Sequence, residues 1–150
     1  MIWRTHLAFG TLIGILLLPI IKPNNVYLYF WVVLFASLLP DIDHNKSKFG
    51  RKVKIISFLS KHRGILHSVF AILFFISPFY YLRYYEVALA IIIGYGSHLI
   101  GDMITRQGVA PFYPLPLTIK GFMRTNSLTE YAIFFACILV VVWKVYSLWI

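Results

Sequence analysis

Cysteine is almost missing: Cys137 stands alone among 150 residues. A disulfide framework needs paired cysteines and a cysteine-rich zinc site needs several thiolates, so both are excluded. Acidic residues are nearly as scarce, with only five Asp and Glu. Charged residues of both signs make up 13% of the chain, against about 25% in soluble domains. An ordinary soluble domain is therefore excluded. A hydrophobic content of 60% equally excludes a disordered chain. There is no internal repeat and no linker, so residues 1–150 are expected to form a single domain. No small-x-small cleavage site precedes Pro19, so the first apolar run is expected to be retained.

What the chain has in abundance is long apolar stretches. Five of them approach the roughly 20 residues that cross a bilayer: about Leu7–Ile21, Val26–Leu39, Ile65–Leu82, Val87–Ile104 and Leu128–Ile150. The expected fold is all-α, a polytopic membrane helical bundle of about five transmembrane helices. Lys22-Pro23-Asn24-Asn25 is a turn signal that makes the first two spans a tight hairpin. Trp3, Tyr27, Tyr29 and Trp31 are expected to be its interfacial aromatics. Two longer loops remain. His44–Arg63 is strongly basic, with Val53, Ile55, Ile56, Phe58 and Leu59 suggesting an interfacial amphipathic helix. Thr105–Asn126, with Pro111, Pro114 and Pro116, reads as a structured loop partly embedded in the membrane.

The net charge of +9 is distributed unevenly. With five spans, eleven of the fourteen Lys and Arg fall on the side that holds the N-terminus and the two long loops. Lys22, Arg83 and Lys144 fall on the other. The excess of cations at the cytoplasmic face then orients the chain with its N-terminus inside and its C-terminus outside the inner membrane. The Phe and Tyr stripes suit lipid or helix packing, and no direct nucleic-acid binding is expected.

Every histidine, and every acid but Glu86, sits at that same face. His6 begins the first span; Asp41, Asp43 and His44 end the second; His62 and His67 begin the third; His98 and Asp102 end the fourth; Glu130 begins the fifth. Ionisable groups within spans cost about 2.5–3.5 kcal/mol each at mid-bilayer and less near the ends, unless they satisfy one another or a cation. Imidazole and carboxylate without thiol suit zinc, or manganese and iron, and zinc is the expected ion with manganese second. His98 and Asp102 are an i, i+4 pair sharing one helix face, and Gly94, Gly96, Ser97 and Gly101 let neighbouring helices come close. His62 and His67 would lie about 140° apart on an unbroken helix. Either Gly64 breaks that helix or only one of the two ligates, and His67 is then preferred. His44 and Glu130 are possible additional ligands, although Ser127 and Glu130 also have the spacing of a capping box.

Three motifs in order, L-P-D-I-D-H, H-R-G-x-x-H-S and G-Y-x-S-H-x-x-x-D-x-x-T-x-x-G-V, resemble the YdjM-like family from His6 to about Glu130. Members are described as LexA-binding, inner-membrane-associated, metal-dependent hydrolases of phospholipase-like type. The chain is also distantly similar to zinc-dependent phospholipases C and their nuclease relatives. That similarity implies ligands at His6, Asp41 or Asp43, His62 or His67, and His98 with Asp102. No histidine follows Asp102, so the relatives' later H-x-x-x-E set is missing and one or two ions are expected.

The expected activity is hydrolysis of a phosphoester in a lipid or lipid-like substrate at the cytoplasmic face. Asp41 or Asp43 would act as general base, with Arg63 and Arg106 as guanidinium clamps on phosphate. Anionic lipid would gather at the basic loop, each cation near the surface contributing about 1 kcal/mol. Two other readings use the same residues: a metal or proton transporter, and a membrane-tethered regulatory binding protein.

Overall fold

The computed structural model describes residues 1–43 and 64–149. His44, His62, Arg63 and the basic amphipathic segment lie outside the described residues. Among the described residues five α-helices form the bundle: α1 (Trp3–Ile21), α2 (Val26–Ala36), α3 (Val69–Tyr81), α4 (Tyr85–Ile104) and α5 (Leu128–Trp149). The β-branched and aromatic residues that crowd α2 favour strands in water. In lipid a lone segment must satisfy its own backbone, and only a helix does so. Large apolar side chains accordingly cover the outside, Trp31, Phe35, Phe74, Phe135 and Trp143 among them. The molecule is a membrane helical bundle.

Among the described residues three helices are long and apolar enough to cross a membrane: α1, α4 and Leu128–Ser147 of α5. The other two fall short of the expected spans, and local chemistry explains both. α2 stops at Ala36 after 11 residues, where Ser37 turns its hydroxyl onto the Leu34 carbonyl and Pro40 follows in a 3-10 turn over Leu39–Asp43. α3 starts at Val69 and not at Ile65, because Ile65–His67 is a 3-10 turn and Ser68 is extended. The hairpin between α1 and α2 is as tight as expected. Lys22 closes α1 in the left-handed conformation, donating to the Leu18 carbonyl at 3.0 Å. Asn25 caps α2 by accepting from the Leu28 amide at 3.0 Å.

α4 lies at the centre and packs against α1, α2 and α3, while α5 packs on α1. Gly94 brings α2 against α4: a Cβ there would run into the Val33 carbonyl and the Ala36 side chain. Tyr29 corrects the expectation of an interfacial aromatic. It is buried, and its hydroxyl donates to the Gly14 carbonyl at 3.1 Å, joining α2 to α1. At the far end, Glu86 accepts from the backbone and side-chain amides of Asn24, tying the α1–α2 turn to the start of α4. Cys137 is buried in α5.

The loop from α4 to α5 is folded back on itself. Val109 and Ile119 exchange backbone hydrogen bonds of 3.0 and 2.8 Å, and Thr105 bridges to Met123. Buried Thr105, Val109 and Met123 anchor it, while Phe112, Leu115, Leu117 and Phe122 remain exposed.

Candidate metal centre

Four separate segments deliver imidazoles and carboxylates to one end of the bundle. His6 comes from the first turn of α1, and Asp41 from the 3-10 turn after α2. His67 comes from the 3-10 turn before α3, and His98 and Asp102 from the last turns of α4. Gly101 makes the approach of α1 possible, since a Cβ there would press on Met1 and the His6 ring. The Tyr95 hydroxyl donates to the Leu66 carbonyl, fastening the His67 turn to α4. The Val69 amide donates to the Pro111 carbonyl at 2.8 Å and holds the same turn to the folded loop.

Distances are short throughout. His67 Nε2 lies 3.6 Å from Asp41 Oδ1 and 3.8 Å from Asp102 Oδ2. His98 Nε2 lies 3.8 Å from each of the same two oxygens. His6 Nε2 approaches Asp102 Oδ1 at 3.4 Å. The His6 and His98 rings stack, with centroids 3.7 Å apart and planes within 9°. Such a stack suits neutral imidazoles, the form in which histidine binds metal. His6, His67, His98 and Asp102 are fully buried, and Asp41 is 25% exposed.

Two triads among the described residues have donors close enough to share an ion: His6, His98 and Asp102, and Asp41, His67 and His98. Two donors each about 2.0–2.2 Å from one zinc ion stand about 3.3–3.6 Å apart at the tetrahedral angle. The donor spacings begin inside that range and end just beyond it. His98 also shows which of its nitrogens faces the cluster. A carbonyl oxygen only accepts, so Nδ1 must donate to Ser37 at 2.8 Å. Nε2, buried and with no hydrogen-bond partner among the described residues, carries the lone pair. A backbone carbonyl fixing the far nitrogen is the usual support for a metal-binding histidine. The donor set therefore fits a divalent ion.

The other expected site residues divide. The backbone of Asp43 closes the Leu39–Asp43 turn; the expected role of its side chain lies outside what is described, as do those of His44, His62 and Arg63. Arg106 is exposed, and its Nε donates to the Phe122 carbonyl at 3.0 Å, which folds it onto its own loop. Glu130 joins neither triad. Its carboxylate accepts from the Ile2 amide at 2.6 Å and from the Asn126 amide at 2.6 Å, a buried strut between the starts of α1 and α5. This replaces the expected capping box: Ser127 turns instead to the Arg124 carbonyl and to Thr129. Sequence reasoning also missed the Met1 amino group, which donates to Asp102 Oδ1 at 2.5 Å. No spacing rule brings together groups 101 residues apart.

A family model described as YdjM inner membrane protein matches residues 1–150. The inner membrane protein YdjM of Escherichia coli (strain K12) is 29% identical over 146 residues, covering 87% of this chain and 71% of that protein. The protein of the same name from Shigella flexneri gives the same values. The uncharacterized protein YvsG of Bacillus subtilis (strain 168) is 32% identical over 102 residues, 63% of this chain and 64% of its own. No solved structure matches.

Proposed function

The chain belongs to the family of the YdjM inner membrane protein, and on that premise we propose that it is a membrane-bound, metal-dependent phosphoester hydrolase. The observation that carries this reading is the convergence of His6, His67, His98, Asp41 and Asp102 with donor spacings of 3.4 to 3.8 Å. His6, His67, His98, Asp102 and, at the more open edge, Asp41 would hold the ion. Zinc is the expected ion, with manganese second. A divalent ion there supplies a Lewis acid that polarises a phosphoryl oxygen and acidifies water. The Asp41 oxygen not turned to His67 and His98, on the less buried of the two carboxylates, would accept a proton from attacking water.

The surroundings favour a lipid or lipid-like substrate. Exposed Phe112, Leu115, Leu117 and Phe122 offer an apolar surface on the loop that follows Asp102. Exposed Lys120 and Arg124 on the same loop suit headgroup phosphates. The ligands lie at helix ends and not near the middle of the spans, where transporter sites are found. That position favours surface hydrolysis over transport.

The test is phosphate release from phospholipids, isoprenoid phosphates and nucleotides by protein in detergent, beside the Asp41→Asn variant. Ion-dependent release from the lipid substrates, reduced at least about a hundredfold in the variant, is expected. Equal release by both proteins, or none from any substrate, would refute the reading.

The same proposal places the ligand end at the cytoplasmic face. Lys120→Cys in a Cys137→Ala background should react with an impermeant thiol reagent in inverted membrane vesicles and not in intact spheroplasts. The opposite pattern would turn the bundle over.

A further inference from the structure

Two triads of ligands at first suggest two ions. We infer that the centre holds one, shared by both triads through the single available nitrogen of His98. The inference rests on the reading of this cluster as a metal centre.

The backbone of the L-P-D segment leaves one carbonyl to be satisfied by a side chain. In a continued α-helix the Ser37 carbonyl would accept from the amide of residue 41; in a 3-10 turn it would accept from residue 40. Residue 40 is proline and has no N–H. The Asp41 amide donates to Leu38 instead, at 3.2 Å. Pro40 and the turn it imposes thereby leave the Ser37 carbonyl without a backbone donor, and His98 Nδ1 supplies one. The proton on Nδ1 is locked in place, so His98 presents one lone pair, on Nε2. A neutral imidazole so fixed can ligate one ion.

Both triads need that lone pair. If one ion takes it, the other triad is reduced, among the described residues, to two ligands, His6 with Asp102 or Asp41 with His67. Two protein ligands fall short of the three that catalytic zinc sites use. The triads are also not separate in space. His67 Nε2, of one triad, lies 3.8 Å from Asp102 Oδ2, of the other, and His98 Nε2 lies equally far from both carboxylates. Donors that cross-connect at these distances surround one point.

Charge leads to the same count. Paired ions stand about 3.5–4 Å apart in two-metal sites, and their repulsion needs bridging anions. The triads contain two carboxylates, Asp41 and Asp102, and the Met1 ammonium pairs with Asp102, which leaves one net negative charge when the imidazoles are neutral. Asp102 Oδ1 is already occupied by the Met1 ammonium, which leaves Oδ2 as the oxygen turned towards His67 and His98. Bridging through both of its oxygens is therefore closed to Asp102.

The test uses the full chain in detergent, stripped of ions and titrated with manganese. Bound manganese is measured after removal of free ion, and electron paramagnetic resonance is recorded at saturation. One equivalent per chain with the hyperfine pattern of an isolated ion is expected. In addition, Asp41→Asn and Asp102→Asn should each weaken binding of that one ion. With separate sites, each variant would instead delete one of two equivalents. Two equivalents per chain, or an exchange-coupled spectrum, would overturn the single-ion inference while leaving the metal centre standing. Failure of the unmodified protein to bind manganese or zinc at all would overturn both.

Discussion

Replacing His98 with alanine is expected to abolish retention of a divalent ion while the bundle stays folded. His98 belongs to both ligand triads, so no complete triad survives its loss. The variant also orphans the Ser37 carbonyl, at about 1–3 kcal/mol, a modest loss beside the packing of five helices. Folding and ion binding can be separated by heating the protein with and without manganese. At an ion concentration one hundred times Kd, binding stabilises the unmodified protein by about 2.7 kcal/mol. The melting temperature should therefore rise on adding the ion. In His98→Ala that rise should vanish. Phosphoester hydrolysis should fall about a thousandfold or more, since Lewis-acid catalysis supplies several kcal/mol and each 1.4 or so is tenfold. A folded variant that keeps its ion would refute the centre.

Gly94→Ala is expected to destabilise the protein strongly, although alanine is the better helix former by about 1 kcal/mol. The added methyl group would meet the Val33 carbonyl, backbone that cannot move aside as a side chain can. Overpacking of this kind costs about 1–3 kcal/mol. The displacement would carry further, because α2 leads directly into Ser37 and Asp41. Ion affinity should drop together with melting temperature. Gly96→Ala is the matched control. A Cβ at Gly96 meets nothing within 4 Å, so that variant should be neutral or slightly more stable. Equal behaviour of the two would show that the α2–α4 contact does not hold the site.

Much of this was legible from residue spacing. Apolar runs located all five helices, and the i, i+4 spacing of His98 and Asp102 put both on one face of α4. The gathering of His6, Asp41, His67, His98 and Asp102 at one end of the bundle also followed from counting spans. What escaped was set by contacts between distant segments. Tyr29 resembles the other aromatics of its helix, and only the nearness of the Gly14 carbonyl explains why it is buried. Glu130 had the spacing of a local cap, yet one of its oxygens is held by the amide of Ile2. Helix lengths were overestimated where apolar composition continued past a change in backbone: Leu38 and Leu39 are as apolar as α2, but Ser37 and Pro40 end it.

The Glu130 strut has a consequence for assembly. Ile2 and Glu130 are 128 residues apart, so at about 5–20 residues per second roughly 6–26 s of translation separate them. Throughout that interval the start of α1 has no anchor on α5, although its other partners, α2 and α4, are already made. Insertion of the final helix is thus the event that fastens the start of α1, and with it His6, in its final place.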